Sequence, residues 1–165
     1  MSGVPLQIVP YRQEHLEGVR RLIVPIQQQE FGIAITYHDQ PDLMDIPGFY
    51  RRGCGEFWVA LNPASEVVGT IALVDIDNRQ TALRKMFVHR DYRGRDKTAA
   101  ATLLSTLIAH ARGAGVSEIF LGTTAAFHAA HRFYEKNGFQ LIDEANLPAN
   151  FPRMTVDTRF YRLSL

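Results

Sequence analysis

Absences narrow this sequence first. The chain of 165 residues has one cysteine, Cys54, so no disulfide can form within it. A reducing cytosol is therefore the expected setting, and the protein is expected to be cytoplasmic. Nowhere do roughly eighteen apolar residues run consecutively, as a membrane-spanning helix would require. The first stretch, MSGVPLQIVPYRQEHLEGVR, lacks the apolar centre of a secretory leader. Neither sign of charge is in excess: 18 Lys and Arg against 17 Asp and Glu leave a formal +1. With no basic stripe either, no overall field argues for nucleic acid or an anionic membrane, and any anion site must be local. Two phosphate motifs are missing as well. There is no G-x-x-x-x-G-K-[ST] and no G-x-G-x-x-G after a strand, which argues against a nucleoside triphosphatase and a dinucleotide-binding fold. Without repeats, low-complexity tracts or a linker, residues 1–165 read as a single domain.

What is present is a regular succession of elements. Residues 6–9 are a short apolar strand closed by Pro10. Leu16, Val19, Ile23 and Ile26 mark one face of a helix over residues 13–30, with Pro25 expected to kink it. A short helix is expected between Pro41 and Arg52. Strands over 57–61 and 67–75 are joined by the turn sequence NPAS, and DNRQ turns into a third strand, 81–89. Ala100, Leu103, Leu104, Leu107, Ile108 and Ala111 keep helical spacing until Gly113–Gly115 stops them. A strand at 119–121 and a helix over 127–137, ended by Gly138, follow. The alternation of Met154, Val156, Thr158 and Phe160 predicts a half-buried final strand. The order β-α-α-β-β-β-α-β-α-β-β predicts an α/β (α+β) fold: a mixed, mostly antiparallel seven-stranded twisted sheet with helices on both faces.

One stretch asks for a ligand. RGRDKTAAATLL, residues 93–104, carries a glycine and three basic residues from a strand end into a helix start. Backbone N–H groups point outward unpaired at such a place, and the helix dipole favours an anion. An ordinary turn with solvated Arg and Lys is the competing reading of the loop alone.

LRKMFVHRDYRGRDKTAAATLL, followed by GVSEIFLGTT and then FHAAHRFYEKNGF, resembles the core of the GNAT superfamily of N-acetyltransferases. That family's loop reads Arg or Gln, two residues, Gly, one residue, Gly or Ala. Arg95 and Ala100 match it, and Thr98 stands where glycine is usual. FYEKNGF is similar to the family's penultimate helix ending, where a tyrosine lies near the coenzyme sulfur. The departure at Thr98 is tolerable if that residue opens the helix, where threonine has allowed dihedrals and its hydroxyl can cap.

The resemblance implies acetyl-coenzyme A as cosubstrate and an amine attacking the thioester, with thiolate leaving. The backbone of Arg95, Asp96, Lys97, Thr98, Ala99 and Ala100 would cradle the pyrophosphate, aided by the charges of Arg93, Arg95 and Lys97. Phe87 and Val88, in the strand before the loop, would pair with the pantetheine arm. Phe127, Ala130 and Tyr134 share a helix face, and Tyr134 is the catalytic candidate near sulfur. Full proton transfer from a phenol to a thiolate is uphill by about 2 kcal/mol from reference values, so Tyr134 is read as a hydrogen-bond donor first. The glutamate that many members carry before the loop is missing from TALRKM. Glu30, Asp75 and Asp157 are base candidates, none assigned, and a water chain is the alternative.

The resemblance implies a primary amine of a small molecule or peptide as acceptor. QQQEF and DQPDLMD lie where the family sets acceptor specificity; their acidity suits a cationic amine, whereas Arg84 would greet a carboxylate, and Glu30 and Arg84 are the candidate substrate contacts. LPANFPRM is a candidate loop over the acceptor. His128 and His131 at i, i+3 lack a third ligand, so no metal is expected, and Cys54 is read as structural. A monomer or homodimer with no nucleic-acid or membrane partner is expected. The rival reading is a non-catalytic acyl-coenzyme A binding or sensing module, favoured by Thr98 and disfavoured by Tyr134.

Overall fold

A computed structural model describes residues 6–94, 98–125 and 128–165. Seven strands form one sheet in the spatial order β1-β2-β3-β4-β5-β7-β6, from β1 (Gln7–Pro10), β2 (Glu56–Leu61), β3 (Val67–Asp75), β4 (Gln80–Val88), β5 (Glu118–Thr123), β6 (Gln140–Ile142) and β7 (Arg159–Ser164). Every neighbouring pair is antiparallel except β4 with β5. The predicted mixed, mostly antiparallel sheet is therefore the observed one. Period-two alternation separates two cores. Along β2, Phe57, Val59 and Leu61 enter one cluster with Val19, Ile23 and Tyr50, while Trp58 and Ala60 enter another with Leu103, Leu104 and Leu107.

The helices cover these two faces. α1 (Leu16–Pro25) and the short α2 (Pro41–Met44) and α3 (Ile46–Tyr50) lie on the first core, and α4 (Ala99–Gly113) and α5 (His128–Lys136) on the second. Pro25 does not break the helical path over residues 13–30 but changes its pitch. A 3-10 turn (Gln13–His15) opens it, and a π turn (Ile26–Glu30) closes it with Phe31 N–H bonded to the Ile26 carbonyl. The single helix expected between Pro41 and Arg52 is two, parted at Asp45, whose side chain accepts from Gly48 N–H at 3.1 Å. Gly138 takes φ +93° after α5, and Phe139 N–H reaches the Tyr134 carbonyl at 3.0 Å, the helix stop its position predicted.

The tail departs from its alternation. The last strand starts at Arg159, and residues 154–158 are a loop with Met154 and Val156 exposed by 38% and 44%. The Asp157 carboxylate accepts the Met154 N–H at 3.0 Å, and Asp157 N–H bonds the Met154 carbonyl. That local turn outcompetes strand extension.

Candidate active site

The cleft begins where the parallel pair comes apart. β4 and β5 are in register only from Gln80 opposite Glu118 to Ala82 opposite Phe120, yet β4 runs on to Val88 and β5 to Thr123. From residue 83 onward the β5-facing edge of β4 has no strand partner among the described residues, and its N–H and C=O groups form a template for an extended ligand. A bulge helps the strands diverge. Register against β3 slips between Thr70 and Ala72, and Lys85 takes φ +54°, a left-handed backbone that costs a non-glycine residue about 1 kcal/mol or more. Thr70 Oγ1 donates to the Lys85 carbonyl at 2.7 Å, satisfying a group that the bulge takes out of the ladder.

The Lys85 side chain holds the bulge from beneath. The side chain is only 7% exposed, and its Nζ lies 2.7 Å from Gln40 Oε1 and 3.4 Å from Asp42 Oδ2. Asp42 also accepts the Tyr50 hydroxyl, and Gln40 exchanges hydrogen bonds with Gln27. Burial pulls the Lys85 ammonium below its ordinary pKa while Asp42 opposes that shift. The sequence marked QQQEF and DQPDLMD as acceptor-facing, and here part of both supports the floor of the cleft instead. Lys85 was not singled out because nothing in LRKM distinguishes a buried lysine from a solvated one.

At the mouth of the cleft is the start of α4. Thr98 is its N-cap with φ −111° and ψ 6°, allowed for threonine, so no positive φ is demanded there; its hydroxyl makes no capping bond. The φ +111° of this loop falls on Gly94, where no heavy atom of a described residue lies within 4 Å of a built Cβ. Thr102 N–H bonds the Thr98 carbonyl at 2.8 Å, and the amides ahead of it belong to the open end of the helix. Ala99 is fully buried and Ala100 half-buried against the core. Arg95, Asp96, Lys97 and Phe127 lie outside the described residues. Arg93 is already engaged: Nε donates to the Val88 carbonyl at 2.6 Å and Nη1 meets Glu30 Oε1 at 2.6 Å. The Val88 carbonyl is thereby taken as well. Phe87 lies against Phe31, with ring centroids 6.1 Å apart.

Tyr134 reaches the cleft from α5. Of about 510 Å³, the cleft is walled by Leu83–Phe87 on β4 and Leu121–Thr124 on β5, with Ala130 and Tyr134 beside them. Tyr134 is 6% exposed, and its hydroxyl has no hydrogen bond to a described residue. Burial alone pushes its phenol far above the ordinary value. A phenol so placed stays protonated and can donate. Thr124 Oγ1, which the sequence did not flag, is also buried without a partner in this wall. His131, rather than pairing with His128 on a metal, places Nε2 2.7 Å from the Thr124 carbonyl, and no metal-ligating cluster occurs among the described residues.

The carboxylates sort by place. Glu30 is held below the usual range by its hydrogen bond to Arg93. Asp75 sits at the far end of β3, bonded to the Cys54 and Asp77 amides and likewise lowered. Cys54 beside it is pushed up to about 11, first by burial and then by Asp75. Asp157 alone of the three base candidates lines the cleft, with Arg84 and the 151–157 segment that includes part of LPANFPRM.

Comparison with known proteins gives this geometry a lineage. The Acetyltransferase (GNAT) family model matches residues 20–139. N-acetylaspartate synthetase of Danio rerio is 37% identical over 117 residues, 68% of this chain and 40% of that protein. Human N-acetyltransferase 8B is 32% identical over 103 residues, 60% of this chain and 45% of that protein. The chain thus spans roughly half the length of such curated relatives. A GNAT-family acetyltransferase of Staphylococcus aureus Mu50 superposes with a TM-score of 0.91 at 38% identity, covering 97% of this chain and 99% of that one. The N-acetyltransferase of Thermoplasma acidophilum in complex with coenzyme A shares the fold, with a TM-score of 0.73 at 17% identity over 98% and 99% of the two chains. The family match over residues 20–139 and the 37% identity to the zebrafish protein over 68% of this chain show that the chain belongs to the Acetyltransferase (GNAT) family.

Proposed function

We propose that the protein moves an acetyl group from acetyl-coenzyme A to a primary amine of a small molecule or peptide by direct attack on the thioester. The observation that carries this reading is the unpartnered β4 edge leading from the open end of α4 to the unbonded Tyr134 hydroxyl. A long extended ligand with an anion at one end and a reacting sulfur at the other suits that path. The names of the zebrafish and human relatives, and the coenzyme A complex of the Thermoplasma enzyme, support the same chemistry.

The residues present fit the coenzyme. The open-end amides of α4 ahead of Thr102 and the helix dipole favour phosphate, and the β4 edge over residues 83–87 offers main-chain pairing. Thr124 Oγ1 is an orphaned polar atom awaiting a partner in the same wall. With Arg93 tied to Glu30, cradling falls to backbone amides more than to that guanidinium. When bound, acetyl-coenzyme A supplies an activated acyl group. Tyr134 then donates a hydrogen bond to the sulfur as negative charge develops there, in a water-poor wall where such a bond is worth most. The cleft orients the amine, which supplies much of the rate.

A panel of amines assayed for free thiol tests the reading. Thiol release that depends on the amine supports it. Tight acetyl-coenzyme A binding with no release under any amine would make the protein a binding or sensing module instead.

A further inference from the structure

Two opposite charges line the cleft, and neither has an ion pair with a described residue. Arg84 makes one weak contact, Nη2 to the Met154 sulfur at 3.5 Å, and lies 5.8 Å from the Phe49 ring centre. It has no ion pair with any described carboxylate. Asp157 is 7% exposed; its Oδ2 accepts the Met154 amide, and it has no ion pair with any described cation. Both line the same cleft. The other charges there are spoken for: Lys85 by Asp42 and Gln40, and Asp39 by the Thr36 amide and hydroxyl.

The loop that carries Asp157 is fixed rather than draped. Thr158 N–H bonds the Thr123 carbonyl at 3.0 Å, and Ala125 N–H bonds Thr158 Oγ1 at 3.0 Å. Gly122 on β5 makes the room, since a built Cβ would lie 2.6 Å from Asp157 Oδ2. A buried carboxylate with no ion pair is costly, and here Arg84 and Arg153 act on it only through space. The loop nonetheless presses this one against a gap left by a missing side chain.

Building on the acyl-transfer reading, we propose that the acceptor is a zwitterion, an amino acid or similar amine bearing a carboxylate. Its carboxylate docks on Arg84, its ammonium docks on Asp157, and Asp157 is the proton acceptor. The ammonium gives one proton to the Asp157 carboxylate, and the freed lone pair forms the nitrogen–carbon bond as the carbon–sulfur bond breaks. The electron pair of that bond goes to sulfur beneath the Tyr134 hydroxyl. The second nitrogen proton leaves as the amide forms and completes the thiol, and Asp157 returns its own proton to solvent.

Burial raises the Asp157 carboxyl above its ordinary pKa, with the Met154 amide, Arg84 on β4 and Arg153 on its own loop pulling it back down. Gly122 and Thr123, on the β5 side, bring no titratable group. A base so tuned loses activity as the pH falls through that raised value.

The test compares free amino acids with the matching amines that lack the carboxylate, using thiol release with acetyl-coenzyme A. Amino acids should exceed their amines at least tenfold in kcat/KM. Arg84→Gln should raise KM for amino acids at least tenfold more than for the amines. Asp157→Asn should lower kcat about a hundredfold and erase the acid limb of the pH profile, with calorimetric acetyl-coenzyme A affinity and melting temperature preserved. Gly122→Ala, which crowds the carboxylate without removing it, should lower kcat and displace that limb. Turnover of simple amines with no carboxylate preference, or an unaltered acid limb in Asp157→Asn, overturns the zwitterion and leaves acyl transfer standing. Absence of thiol release from every acceptor overturns both.

Discussion

Glu30, at the end of the π turn, lies 2.6 Å from Arg93, 63 positions later in the chain, and the same guanidinium bonds the Val88 carbonyl at 2.6 Å. One side chain thus joins the first helical segment, the end of β4 and the loop that leads to α4. Both partners are more than a third exposed, so the pair itself contributes at most about 1 kcal/mol. Its value is in fixing the loop. Glu30→Gln should therefore leave the melting temperature within a few degrees while weakening acetyl-coenzyme A binding several-fold. Because Arg93 holds the Glu30 carboxyl below its ordinary value, the contact's small stabilisation is present above that ordinary value and is lost as pH falls through the lowered one. A pH series of coenzyme titrations on wild type and variant reads this directly.

Tyr134→Phe removes a hydroxyl in the cleft wall that makes no hydrogen bond to a described residue. Turnover should fall by about a hundredfold, the usual cost of a lost transition-state donor, with little change in coenzyme affinity. An undiminished rate would take Tyr134 out of the mechanism.

Lys85 and Asp42 are both nearly sealed, with side chains 7% and 6% exposed. Lys85→Met leaves a buried carboxylate without its cation, and stability should drop by about 3–5 kcal/mol. Adding Asp42→Asn should recover most of that loss, because the uncompensated charge is then gone. Denaturant unfolding of the single and double variants measures the difference.

The Cys54 thiol, pushed up to about 11, should resist alkylation at neutral pH. Its labelling rate should climb about tenfold per pH unit across the neutral range. Fast labelling at neutral pH would contradict the burial and the Asp75 contact behind that shift.

The succession of strands and the helix faces were legible in the sequence because burial imposes its period on the residues, as Phe57 to Leu61 and Leu103 to Leu107 demonstrate. Tyr134 was singled out through FYEKNGF, and it lines the cleft. The Met154 to Phe160 alternation misled because Asp157, a polar residue at an odd position, builds a turn that no periodicity encodes. The same residue is where the charge of the site accumulates. Lys85 and Thr124 were invisible for a related reason. What sets them apart is a left-handed backbone in one case and a missing partner in the other, and both are products of tertiary geometry. Arg93 was assigned to phosphate on charge alone; its carboxylate partner is too remote in sequence for local pattern to reveal.

Calorimetric titration of acetyl-coenzyme A into the wild-type protein and Ala100→Trp goes to the centre of the account, the open end of α4 as the coenzyme's anchor. Saturable binding by the wild type, lost by at least a hundredfold in a variant that still unfolds cooperatively, is the expected result. Equal affinity in the two proteins, or no binding by either, contradicts it.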